Sequence, residues 1–111
     1  MTQQEQVIDA LVRARGLVER GWCQGWFARD ADGYEVAAVS PQACRFCALG
    51  AIRHATNVFV EGDNCIRLVL RAGGNEALGD LFTWNDAPER TQADVLALYD
   101  RAIALAREET P

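Results

Sequence analysis

Two apolar stripes of helical period, one at each end of the chain, constrain the fold more than any other feature. In residues 4–20, Val7, Leu11, Ala14 and Val18 recur at steps of four, three and four, and Ile8 widens the stripe. In residues 92–108, Val95, Leu98, Tyr99, Ala102, Leu105 and Ala106 share one broad face. Helices of this kind must bury their stripes against other elements. The pattern predicts a mainly α (α+β) fold, a small helical domain of about four helices. The 111 residues suffice for a core without staples and read as one domain, 1–111.

Between the two stripes the character changes. Residues 22–39 are rich in aromatics and turn residues, and Asp32-Gly33 is a strong hairpin signal, so a short β-hairpin insert is expected there. Ser40-Pro41 has the form of an N-cap followed by proline at the first helical position, which predicts a second helix running to about Ala55. Residues 58–62 read as extended or loop, 64–72 as a third helix stopped by Gly73-Gly74, and 75–82 as a short fourth. Asp86 and Glu89 have capping-box spacing for the last helix, and Thr91 and Asp94 repeat it one turn later.

Charge narrows the function classes. The formal net charge is -5, and all eleven cations are arginine. An acidic chain with no basic run lacks the cationic face that a nucleic-acid backbone requires. No apolar run approaches the length of a membrane span. The polar N-terminal stretch predicts no secretory signal, hence a cytoplasmic protein. In a reducing compartment its four cysteines are thiols or metal ligands rather than disulfides.

Two of those cysteines and the single histidine lie in ACRFCALGAIRH, residues 43–54. On a helix begun at Ser40, Ala43, Phe46, Cys47, Gly50, Ala51 and His54 share a face. Buried cysteine behaves as a small hydrophobe, and Gly50 would let a neighbouring helix approach closely. A metal centre is disfavoured, because His54 would lie about 10 Å along the axis from Cys47. The four cysteine spacings are also not those of a zinc finger or ribbon. A low-pKa redox thiol needs a helix N-terminus, and Cys44 falls a turn too late for one on this reading. His54 is read as bonding a carbonyl near the helix end. No metal and no cofactor is implied.

Trp22, Cys23 and Gln24 form one further candidate group, in which Gln24 could orient a ligand on an aromatic floor. Trp84, Asn85 and Asp86, followed by Arg90, form another. For both, packing and turn chemistry are the simpler explanation.

Three motifs, Gly21-Trp22-Cys23-Gln24-Gly25, Phe46-Cys47-Ala48-Leu49-Gly50-Ala51 and Trp84-Asn85-Asp86-Ala87-Pro88-Glu89-Arg90-Thr91, occur in that order. In this the chain resembles a family of short bacterial and phage proteins catalogued as a domain of unknown function. The resemblance runs from the first helix to about Ala106, and Cys44 and Cys65 fall outside its motifs. It implies an origin in bacteria or their mobile elements and transfers no activity. If the motifs converge, Trp22, Cys23, Gln24, Cys47, Trp84, Asn85 and Asp86 would form either a core junction or a ligand or partner site. The favoured expectation is a non-enzymatic module that binds another protein, including a second copy of itself, with Leu96 and Ile103 as a candidate oligomer surface. The alternative is a thiol-dependent enzyme or small-ligand-binding protein built on Cys47 or Cys23, with Gln24, Asn85 and Asp86 as polar partners.

Overall fold

The computed structural model describes residues 2–56, 59–74 and 80–108. Among these, five helices surround a core that a small antiparallel sheet closes at one end. The helices are α1 (Gln3–Arg20), α2 (Ala48–Ala55), α3 (Phe59–Ala72), α4 (Leu81–Asn85) and α5 (Gln92–Glu108). Strands β1 (Ala28–Arg29), β2 (Glu35–Val36) and β3 (Arg45–Phe46) pair in the order β2-β1-β3. The fold is mainly α with a short β insert, as the sequence predicts. No helix among the described residues is long and apolar enough to cross a membrane.

The two terminal stripes find each other. α1 buries Val7, Ala10, Leu11, Ala14 and Val18, and α5 buries Val95, Leu98, Tyr99, Ala102, Ile103 and Ala106. Each fully buried leucine or valine contributes about 1.5–3 kcal/mol. Polar contacts set the register at three levels. Gln4 Nε2 donates to Ala106 O (2.9 Å), Arg15 Nε to Asp100 Oδ1 (2.6 Å), and Gln92 Nε2 to Val18 O (2.7 Å). The pair is therefore antiparallel. α1 also packs on α2 and α3, and α3 on α5.

The hairpin forms where expected. Asp30 Oδ1 accepts from the amides of Asp32 and Tyr34 (both 2.9 Å), and Gly33 takes the positive φ of +87° that the turn requires.

Several boundaries differ from the sequence expectation. The second helix begins at Ala48, not Ser40. Ser40 Oγ accepts from Gln42 N (3.1 Å), which makes a local turn with the same chemistry as a cap. The chain then extends, and Arg45–Phe46 pairs with β1 as a third strand. Cys47, not Ser40, is the N-cap of α2. Gly50 admits the backbone just before β1 rather than a helix: a Cβ there would lie 1.9 Å from Phe27 O.

α3 starts at Phe59, so most of the segment read as extended or loop is helical. The short helix is Leu81–Asn85, and residues 75–79 of the predicted 75–82 lie outside the described residues. Asp86 closes α4 as its C-cap and does not open α5. The Thr91–Asp94 box caps α5, each side chain accepting from the other residue's amide (3.2 and 3.0 Å). Ile103 is buried with 7 % of its surface exposed, and Leu96 is half-buried against the core. The flank of α5 is thus interior, because α5 is packed by α3 as well as α1.

Candidate functional site

The three motifs meet at Asn85. This residue ends α4, which lies against α2, and its side chain is fully buried. Its Oδ1 accepts from Trp22 Nε1 (2.8 Å) and from the amide of Ala48 (3.0 Å). Its Nδ2 donates to Cys23 O (3.1 Å) and to Asp86 Oδ1 (3.0 Å). An amide side chain has two acceptor sites and two donors, so all four are used. The partners also fix its orientation, since a flipped amide would set NH2 against two N–H groups.

The neighbours complete the junction. Gln24 Nε2 donates to Asn85 O and Ala87 O (both 3.0 Å), and Asp86 Oδ1 accepts from Gly25 N (3.0 Å). Trp84 carries the Arg90 guanidinium over its ring at 4.0 Å, while Arg90 Nε donates to Trp84 O (2.9 Å). Tyr99, fully buried on α5, donates its hydroxyl to Ala48 O and ties the last helix to the same point. The sequence reading of Tyr99 stopped at its place in the apolar stripe. The signal was a tyrosine in that stripe, since a buried phenol needs a polar partner. Among the described residues no buried side-chain nitrogen or oxygen lacks a hydrogen-bond partner.

The sequence expectation that Cys47 lies within a helix begun at Ser40 is corrected, because Cys47 sits at the N-cap of α2. Its Sγ accepts from Gly50 N (3.2 Å), and its own amide donates to Phe27 O (3.1 Å). A helix N-terminus stabilises thiolate, but the thiol is fully buried. Burial outweighs the amide bonds and holds its pKa above the ordinary thiol value. Cys23 lies one residue past the Trp22–Phe46 bridge, on the same side as Cys47. Its pKa is pushed up to about 11, first by burial and then by Cys47, with Arg29 opposing. Its Sγ donates to Trp26 O (3.7 Å), as a protonated thiol does.

The other thiols lie apart. Cys65 is buried in α3 with its Sγ toward Val7 O (3.8 Å), and Cys44 is exposed. No cysteine is in a disulfide. Among the described residues no three His, Cys, Asp or Glu side chains are grouped to hold a metal ion. His54 Nδ1 lies 2.6 Å from Ala38 O, and its ring packs edge-on to Phe46 at 4.8 Å. It bonds a carbonyl, as its position near the helix end suggested, and that bond to Ala38 O is not part of the Asn85 junction.

The junction therefore joins Trp22, Cys23, Gln24, Cys47, Trp84, Asn85 and Asp86 around one amide, and its polar groups satisfy one another. Chemically it is a clamp. No curated protein and no solved structure matches the chain. A family model does match, over residues 2–105, and it takes in all three motifs. The chain belongs to that family, a family of unknown function (DUF6197).

Proposed function

We propose that this chain is a non-enzymatic interaction module that works as one domain by binding another protein. The observation that carries the reading is the contrast between its polar junction and its surface. Residues able to do chemistry are closed on one another at Asn85. Three of the four exposed large hydrophobics among the described residues lie on the hairpin and its return, Tyr34 at 71 % exposed, Val39 at 63 % and Trp26 at 39 %; the fourth, Val12, is on α1. Such side chains grouped on one element mark contact surfaces. The acidic balance argues against nucleic acid as the partner. The thiols suit a reducing cytoplasm, and the resemblance to bacterial and phage proteins supports that origin.

The N-cap position of Cys47 favours the second reading, a thiol-dependent enzyme or small-ligand site with Cys23, Gln24, Asn85 and Asp86. Against it stand the burial of both thiols and the raised pKa of each.

The test is site-specific photo-crosslinking from position 34 in the source host, with exposed Arg101 on α5 as the control position. A defined adduct from position 34 alone, lost in a Val39→Ser background of unchanged Tm, is the expected result. Native mass spectrometry distinguishes a second copy from a different protein. Equal labelling from both positions would overturn the reading, as would rapid alkylation of Cys23 or Cys47 at neutral pH.

A further inference from the structure

An open groove of about 460 Å³ runs along the C-terminal half of α1, where the end of α2 lies beside it. Its apolar lining is Val12, Leu17 and Ala55, and Gly16 leaves its middle unfilled. Its polar lining is Arg13, Arg20 and His54, with no carboxylate among the lining residues. Asp9 offsets Arg13, so among the described residues Arg20 supplies the groove's unpaired positive charge.

The three polar groups are held differently. Arg13 is oriented by two bonds, Nε to Asp9 Oδ2 (2.9 Å) and Nη1 to Ala55 O (2.8 Å). His54 is fixed through Nδ1 by Ala38 O, which accepts and cannot donate, so the other ring nitrogen is the one left to meet a ligand. The Arg20 guanidinium has no ion pair or hydrogen bond among the described residues. It lies over the middle of the groove, with Nη1 3.7 Å from where a Gly16 Cβ would be.

The geometry points to this groove as the docking site for a short acidic segment of the partner protein, its carboxylates on Arg20 and Arg13 and one aliphatic side chain on Leu17 and Val12. The assignment rests on the interaction reading above and names the chemistry of the partner. Charge complementarity selects an anion. Openness selects a chain segment over a small molecule, because small-molecule sites enclose most of their ligand. From Val12 to Arg20 the helix rises about 12 Å, the length of roughly four extended residues. Gly16 fits this role, since any side chain there would stand in the groove. Arginine suits it too, because its planar fork grips a carboxylate with two bonds.

The experiment is a 15N-HSQC titration of the full chain with N-acetyl-Glu-Leu-Glu-amide, its Gln-Leu-Gln counterpart and hexanoate. The expected result is saturable shifts at Val12, Gly16, Arg20 and Ala55 with the acidic peptide, at a Kd on the order of 1 mM. The neutral peptide should bind at least threefold more weakly, and Arg20→Gln should weaken the acidic peptide by about threefold, the range of an exposed ion pair. Gly16→Leu should abolish binding at unchanged Tm.

Equal binding of the two peptides, or no saturable shifts at these residues, would overturn the proposal. Hexanoate binding as tightly as the peptide would also overturn it, in favour of a free amphipathic carboxylate. Because the titration uses purified chain, its failure leaves the crosslinking result from position 34 untouched. A groove that binds with no partner captured would instead sink the interaction reading and, with it, the assignment of the groove to a partner protein.

Discussion

Asn85→Ala tests the clamp most directly. The substitution removes the acceptor of the buried Ala48 amide and of the Trp22 indole, together with the donors to Cys23 O and Asp86. A hydrogen bond contributes roughly 1 kcal/mol net, and a buried donor left without a partner costs about 1–3 kcal/mol. With water able to reach the partly buried indole, the sum is about 3–5 kcal/mol. For a chain of 111 residues, 1 kcal/mol shifts Tm by about 4 °C, so a drop of about 12–20 °C is expected. Urea unfolding followed by tryptophan fluorescence and far-UV circular dichroism gives the free energy. Asn85→Leu keeps the site filled while losing all four hydrogen bonds, which separates hydrogen bonding from cavity formation. A double-mutant cycle with Trp22→Phe should show coupling of about 1 kcal/mol. A loss under about 1 kcal/mol for Asn85→Ala, or no coupling to Trp22, would refute the clamp.

Gly50→Ala should destabilise by at least about 3 kcal/mol in urea unfolding, because its methyl would sit 1.9 Å from the Phe27 carbonyl oxygen, a backbone atom with nowhere to go. Thr91→Ala should cost about 1 kcal/mol through loss of the α5 cap, whereas Asp86→Ala should leave the start of α5 intact by amide exchange. Cys44 should react with an aromatic disulfide within seconds in native protein, and Cys23 and Cys47 only at the rate of opening, as read by peptide mass mapping. Cys23 and Cys47 are also more easily deprotonated unfolded than folded, and for Cys23 the folded state binds more protons between the ordinary thiol pKa of 9.0 and about 11. Stability should therefore be full below pH 9.0 and fall as pH rises toward about 11, and Cys23→Ala should flatten part of that fall in urea titrations.

The terminal helices were legible because each pattern is local and long enough to repeat. α5 also carried a real capping box, although the Asp86–Glu89 pair imitated one a turn earlier. The start of α2 was not legible, for a physical reason. Ser40-Pro41 forms a turn with the chemistry of an N-cap, and what extends Arg45 and Phe46 is pairing with Ala28 and Arg29, far away in the chain. The reading of Cys47 inherited that error, because its place at a helix start depends on where the strand stops. Ile103 was misjudged for a related reason: a stripe shows that a helix has a buried face, but not how many neighbours widen it. That Gln24 could reach Asn85 was a conjecture from three motifs. What the sequence did not carry was that Asn85 would be closed on all four sides. The groove on α1 went unseen because its polar groups, Arg13, Arg20 and His54, come from two helices and form no run.

The Asn85 clamp joins positions 63, 62 and 37 residues away along the chain. Three of its four bonds cannot form within a local segment; only the one to Asp86 is local. The buried Ala48 amide proton is thus a clock for the whole molecule. Its exchange with deuterium should run at the pace of complete unfolding rather than of fraying at the hairpin, and it should slow or quicken in step with any change to the distant α1–α5 core.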